Sequence, residues 1–230
     1  APRRRRAAVT GVNIDGAVLQ DLPRTGTWEL DPRVPAAEQA GPAVYASNDL
    51  DRGHLVRRRD PGWGSPEEAR RATEATFTYP NAAPQASGFN QSKELWLGLE
   101  DHVLEFAETT DERISVFTAP VLAEDDPPYR GIRVPRRFFK VATWTTREDG
   151  MPRLAAAGFV LDQSELIDLS QGVLEVPALG GFRTFQVRIS DIEELSGVDF
   201  GGLVEADVLP RTTVRGEDAW RALLAPEDVV

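Results

Sequence analysis

Two apolar runs, Phe138–Thr146 and Leu154–Leu161, flank the turn-forming stretch Arg147-Glu148-Asp149-Gly150. They predict a pair of antiparallel strands and so put a sheet at the centre of the fold. Further strands are expected at Ile114–Pro120 and Phe182–Ile189. Two more are expected within Ala8–Gln20, around the hairpin dipeptide Asp15-Gly16. Ser65-Pro66-Glu67-Glu68 is a capping box with proline at the first helical position, predicting a helix over about 66–76. Leu95, Leu99, Val103 and Phe106 recur at helical spacing, predicting a second helix from about 91 to 108. Ser190 and Glu193 repeat the capping-box spacing before a short helix, and Asp218–Leu224 is a last helical candidate. Strands and helices do not alternate regularly, so the expected class is α+β: a mixed, mainly antiparallel sheet flanked by helices.

Residues 21–50 read as a long loop, in keeping with 19 glycines and 17 prolines that predict many turns. A length of 230 residues suits one domain over 1–230. The chain has no cysteine, which excludes disulfides, thiol catalysis and thiolate metal sites. No stretch approaches the ~20 apolar residues of a membrane span. Arg3–Arg6 are not followed by an apolar core, so no signal peptide is visible. Arg3–Val9 reads like the middle of a hairpin whose earlier strand lies upstream in longer relatives, the pattern of a fragment, an exported form or a processed one.

The formal net charge is −11, with residues 1–60 at +2 and the remainder at −13. Such a chain repels polyanions at long range, which argues against a general DNA-coating role. Basic islands survive within it: Arg57, Arg58 and Arg59 are consecutive, and Arg130, Arg133, Arg136, Arg137 and Lys140 cluster without an acid among them.

Only two histidines occur, His54 and His102. His102 lies on the stronger predicted helix beside Val103 and reads as a solvated or packing residue. His54 closes the tetrapeptide Asp51-Arg52-Gly53-His54, which is followed by Asn81-Ala82-Ala83-Pro84-Gln85, Phe89-Asn90-Gln91 and Trp96-x-x-Leu99-Glu100. Taken singly, Asn90 is also a favoured helix N-cap, Glu100 an ordinary helix carboxylate, and Asn81 and Pro84 ordinary turn residues.

In that order, these motifs resemble the DNA/RNA non-specific endonucleases with a ββα-metal (His-Me) finger, the endonuclease G-like family. The resemblance runs from Asp31-Pro32-Arg33 to Arg136-Arg137-Phe138-Phe139-Lys140-Val141. It implies a Mg²⁺-dependent, sugar-nonspecific phosphodiesterase, with Mn²⁺ or another divalent ion as substitute. His54 is then the general base, Asn90 the metal ligand and Glu100 the acidic residue that orders water on the ion. Arg52 acts on the phosphate, Asn81 holds the His-bearing strand, and Asp51 stands behind the site. The implied substrates are DNA and RNA, with a second copy of the chain and a protein inhibitor as candidate partners.

Two features depart from the family pattern. The usual spacing is two residues shorter than the ten from Asn90 to Glu100, a turn of roughly 200° at ~100° per residue; Glu94 is therefore the rival acid, although Trp96-x-x-Leu99-Glu100 is intact. Pro80 stands where Ser or Thr is usual. To reconcile the acidic chain with a polyanionic substrate, Arg57, Arg58, Arg59, Arg136, Arg137 and Lys140 are expected to line one positive groove beside His54. The alternative is a catalytically inactive binding module on the same scaffold. A carboxylate-pair hydrolase built on Asp125-Asp126 or Glu193-Glu194 is weaker, since adjacent side chains need not face one cleft.

Overall fold

The computed structural model describes residues 4–86, 96–167, 183–214, 216–223 and 228–229. Its centre is the pair β7 (Arg137–Glu148) and β8 (Met151–Asp162), joined at Asp149-Gly150, where both residues have positive φ as a two-residue primed turn requires. On one side β7 pairs with β4 (Arg113–Val121), which pairs with β1 (Thr10–Asp15). On the other, β8 pairs with β9 (Arg183–Val187) and β9 with β10 (Arg221–Leu223). All five pairings of this six-stranded sheet are antiparallel. The mixed α+β class expected from the sequence is the class observed. Residues 145–154 project past the neighbouring strands as an exposed two-stranded arm.

Successive side chains of β7 serve opposite faces. Phe138 and Ala142 join the core that holds α3 (Trp96–Thr110), whereas Phe139 and Val141 join the core that holds α4 (Ile189–Ser196). On the α3 side lies a second, two-stranded sheet, β2 (Leu50–His54) against β3 (Ala82–Ala86). The long connection between them contains α2 (Pro66–Ala75), whose Ser65–Glu68 capping box forms in both directions. Ahead of β2 sits one turn of helix, α1 (Pro42–Tyr45). A short ribbon, β5 (Pro128–Tyr129) with β6 (Ile132–Arg133), precedes β7.

Four local expectations give way to tertiary pairing. Only one strand forms around Asp15-Gly16: after β1 the chain turns into a 3-10 segment, Gly16–Val18, because β1 finds its partner in the distant β4. Residues 4–9 form no strand; Ala7 N–H donates to Pro80 C=O and Arg5 C=O accepts from Ala40. Helix α4 starts at Ile189, so Ser190 lies inside it, and the orphan Ile189 N–H donates to Asp207 Oδ2 at 2.7 Å. The final helical candidate becomes a 3-10 turn at Gly216–Ala219 followed by β10, since β9 offers an open edge. The Gln91–Leu95 portion of the predicted α3 lies outside the described residues.

Gly16 is where β1 meets α3. A β-carbon there would lie 1.8 Å from the Ala107 carbonyl oxygen. Gly16→Ala is expected to cost about 1–3 kcal/mol, read as a lower urea midpoint with unchanged slope. An unaltered midpoint would show that this turn does not press on the helix.

Candidate active site

In the β2–β3 ladder, His54 lies opposite Ala82, Gly53 opposite Ala83, Arg52 opposite Pro84 and Asp51 opposite Gln85. Strand alternation puts Arg52 and His54 on one side and Asp51 and Gly53 on the other. A β-carbon at position 53 would lie 2.0 Å from the Gln85 side-chain oxygen. Gln85 is fully buried, so only glycine fits within Asp-Arg-Gly-His here. Beyond His54 the strand is pinned by Asn81. Its Oδ1 accepts from Val56 N–H (2.9 Å), its Nδ2 donates to Val56 C=O (3.0 Å) and Thr76 C=O (2.9 Å), and its carbonyl accepts from Leu55 N–H (2.9 Å).

The His54 ring is boxed by two aromatic residues. Trp28 lies 4.6 Å away between centroids, and Phe77 meets it edge-on at 4.9 Å. The Arg52 guanidinium sits over the far side of this box, 5.9 Å from the Trp28 ring centroid. Burial first, then the positive charges of Arg24 and Arg58, lower the His54 pKa to about 3. Nε2 is enclosed and has no hydrogen-bond partner among the described residues. The imidazole is therefore neutral through the physiological range. Trp28, Phe77 and Arg24 were not candidates on sequence grounds. The signal was faint: a tryptophan in a turn-rich loop, brought to Phe77 by backbone bonds of Glu29 with Phe77 and Tyr79 (both 3.0 Å).

Glu100 lies on the first turns of α3 and is buried. Its Oε2 is 3.5 Å from Arg57 Nε and its Oε1 is 3.5 Å from Lys140 Nζ, which donates to Thr118 Oγ1 at 2.9 Å. Arg57 also pairs with Asp101. Burial pushes the Glu100 carboxyl up, against the pull of Lys140 and Arg57. Asp60, missed by the sequence reading, joins this network. Burial raises its carboxyl to about 7, with Lys140 and Arg57 opposing and Glu100 reinforcing the rise.

These positions correct the expected open groove. Arg57 and Lys140 are interior, with exposures of 9% and 1%, because their charges balance Glu100 and its neighbours. Arg137 is matched by Asp162 (2.8 Å) and Glu217 (2.7 Å) and lies over Trp220. Arg136 is half-buried near Asp126. Arg58 reaches the Leu22 carbonyl (3.3 Å) on the His54 side, and Arg59 is exposed. Asp51 is half-buried on the side of β2 away from His54. Asn90 and Glu94 lie outside the described residues. Gln163, also missed, ties β3 to the end of β8: its Oε1 accepts from Ala86 N–H (3.0 Å) and its Nε2 donates to Pro135 C=O (2.6 Å).

A family model described as DNA/RNA non-specific endonuclease matches residues 1–207. An uncharacterized protein, y4fB of Sinorhizobium fredii (strain NBRC 101917 / NGR234), is 36% identical over 238 aligned positions, covering 99% of this chain. The chain spans only 35% of that relative's length. Nuclease C1 of Cunninghamella echinulata var. echinulata is 25% identical over 194 positions, 79% of this chain and 69% of that protein. Among solved structures, a chain of an EndoG/EndoGI complex aligns with TM-score 0.62 at 20% identity, over 87% of this chain and 80% of its own. That likeness is one of fold.

Asn81→Ala strands three backbone groups, of which the Thr76 carbonyl is buried and the Val56 pair half-buried, and is expected to cost about 1–3 kcal/mol in denaturant unfolding; a loss below the resolution of the method would mean that water replaces the carboxamide. His54 carries a pH signature as well. Its pKa is about 3 in the fold against an ordinary 6.5, so the unfolded chain binds more protons between those values. The stability contributed by the neutral ring is complete above pH 6.5 and drains away as the pH falls toward 3. His54→Gln should therefore show a shallower loss of urea midpoint between pH 6.5 and 4 than wild type. Parallel losses would refute the boxed, neutral ring.

Proposed function

Because the chain belongs to the DNA/RNA non-specific endonuclease family, we propose that it is an endonuclease hydrolysing DNA and RNA phosphodiesters with His54 as general base. The observation that carries this reading is a neutral imidazole near the guanidinium groups of Arg24, Arg52 and Arg58, on a strand pinned by Asn81. A neutral ring can take a proton from water at working pH. With Nε2 enclosed, that proton falls to Nδ1.

The low proton affinity of the free site is a consequence of burial and of Arg24 and Arg58. A bound phosphodiester offsets the two arginine charges, so the imidazole gains basicity when substrate is present. Arg24, Arg52 and Arg58 would hold the phosphate. Contacts of this kind carry no sequence information, in keeping with a nonspecific enzyme. Asn81 acts on the base by fixing the backbone beyond it.

Among the described residues, no three of His, Asp or Glu converge as a metal cage. Mg²⁺ does not need one: it retains several waters and binds through one or two protein oxygens. In the proposed reading Asn90, outside the described residues, would hold a hydrated Mg²⁺ or Mn²⁺, and Glu100 would order water in its shell. Bound there, the ion supplies positive charge for the phosphate and the departing oxygen. Arg57 and Lys140 hold the Glu100 carboxylate in place on α3. The EndoG of the solved relative is held in a complex with EndoGI, and an inhibitor covering the His54 rim is the corresponding partner here.

The test is digestion of plasmid DNA and of RNA with Mg²⁺ or EDTA, comparing wild type with His54→Ala. Wild type is expected to cut both only with the divalent ion, and His54→Ala to lose about 10²–10⁴ in rate. Full activity in His54→Ala would move the active site elsewhere. A wild type inert with every divalent ion would favour a non-catalytic binding module.

A further inference from the structure

Arginines that are distant in sequence and unused by the site above meet in the fold. Arg4 from the N-terminal arginine run and Arg130 and Arg133 from the 130–140 basic island line one open cleft of about 660 Å³, with Glu124, Tyr129 and Gly131. The Arg5 guanidinium stands against the same turn, 3.5 Å from where a β-carbon on Gly131 would be. Each cleft arginine is anchored from behind. Arg4 Nη1 pairs with the buried Asp126 (3.0 Å), Arg133 Nη1 donates to the Asp126 carbonyl (2.6 Å), and Arg130 Nη1 donates to the Ala43 carbonyl (3.1 Å) while stacking over Tyr129 at 5.1 Å. A guanidinium has five donors, so these anchors orient the groups and leave others for a ligand. Among the described residues, Glu124 is the one carboxylate lining the cleft. In a chain of net charge −11, three fixed arginines around one opening invert the local sign.

We propose that this cleft is a second nucleic-acid contact, holding the sugar–phosphate backbone of a substrate strand away from the bond being cut. The proposal rests on the nuclease reading and adds to it a preference for long strands. Planar guanidinium forks match phosphate oxygens in pairs. Among the described residues, none of the large exposed apolar side chains lines the cleft, so its recognition rests on charge and on the guanidinium planes, the chemistry of a phosphate backbone. Its position also suits a continuing strand. Arg130 donates to the Ala46 carbonyl as well, and Ala46 precedes His54 by eight residues. At the extended limit of about 3.6 Å per residue, the two are no more than about 29 Å apart. A strand rising about 3.4 Å per nucleotide covers that distance in roughly eight or nine nucleotides.

The experiment compares full-length wild type, the double variant Arg130→Gln/Arg133→Gln and the reverse-charge variant Glu124→Lys. Both arginines are exposed, so neither change opens the core. Binding of a labelled 30-nucleotide single strand is followed by fluorescence anisotropy in EDTA across a salt series; KM with Mg²⁺ is measured for the 30-mer and for a tetranucleotide. Loss of two phosphate contacts is expected to flatten the log K against log salt slope by about 1.4. KM should rise several-fold for the 30-mer and much less for the tetramer, and Glu124→Lys should tighten the 30-mer. An unchanged slope, or equal KM changes on both substrates, would overturn the cleft as a strand site. So would variants that lose affinity for a polyglutamate peptide probe while binding the 30-mer normally, which would assign the cleft to an acidic protein. A wild type that cleaves neither substrate defeats the nuclease reading instead, and the anisotropy series still decides whether the cleft binds a strand.

Discussion

The apolar seam of α3 holds the β2–β3 pair that carries His54 against the main sheet. Leu99, Val103, Leu104 and Ala107 share one core cluster with Ile14, Ile114, Val116, Phe138 and Phe159 of the sheet and with Leu55, Ala83 and Ala86 around that pair. Each large apolar side chain buried there contributes about 1.5–3 kcal/mol, whereas a two-stranded ribbon alone is marginal. The strand pair that carries His54 is thus ordered by what lies beneath it. Glu100 follows Leu99 directly, so the same seam sets the depth of the acidic group.

Charge is arranged in layers around that seam. Arg57 and Lys140 lie inside against Glu100, with Asp60 and Asp101 completing the network. Removing one member of such a set leaves an uncompensated buried charge, so these cations are committed to the interior. The arginines near His54 carry out a different task. Second to burial, the charges of Arg24 and Arg58 keep the ring neutral, and in the proposed function a substrate phosphate would offset them. An acidic protein can handle a polyanion in this way without a generally basic surface, since exposed charges farther away than about 10 Å are largely screened.

Elements whose signal is local were legible in the sequence. The Ser65–Glu68 box, the β7–β8 hairpin around Asp149-Gly150 and the periodic stripe of α3 all depend on residues within a few positions of each other. Expectations failed where a local signal competed with a distant partner. Asp15-Gly16 has the chemistry of a hairpin, yet β1 gains more by joining β4, and the glycine is used for close approach to Ala107. Residues 221–223 complete the sheet instead of ending a helix. In the candidate site, the Asp-Arg-Gly-His run and Asn81 stood out by type and order. Trp28, Phe77, Asp60 and Gln163 did not, because nothing near them in sequence distinguishes a wall of the site from an ordinary loop or core residue.

By itself the sequence determined the class of the fold, the order of the motifs around His54 and the family to which these motifs belong, because each is written in residue types at short, ordered spacings. Only the tertiary structure decided which charges face solvent. Arg57 and Arg58 are neighbours in the chain, yet one closes a buried network and the other borders the histidine. Arg4 and Arg133 are far apart in the chain, yet they share a cleft. Whether a side chain is buried, and against which partner, depends on contacts between remote segments, and single-chain spacing does not encode them.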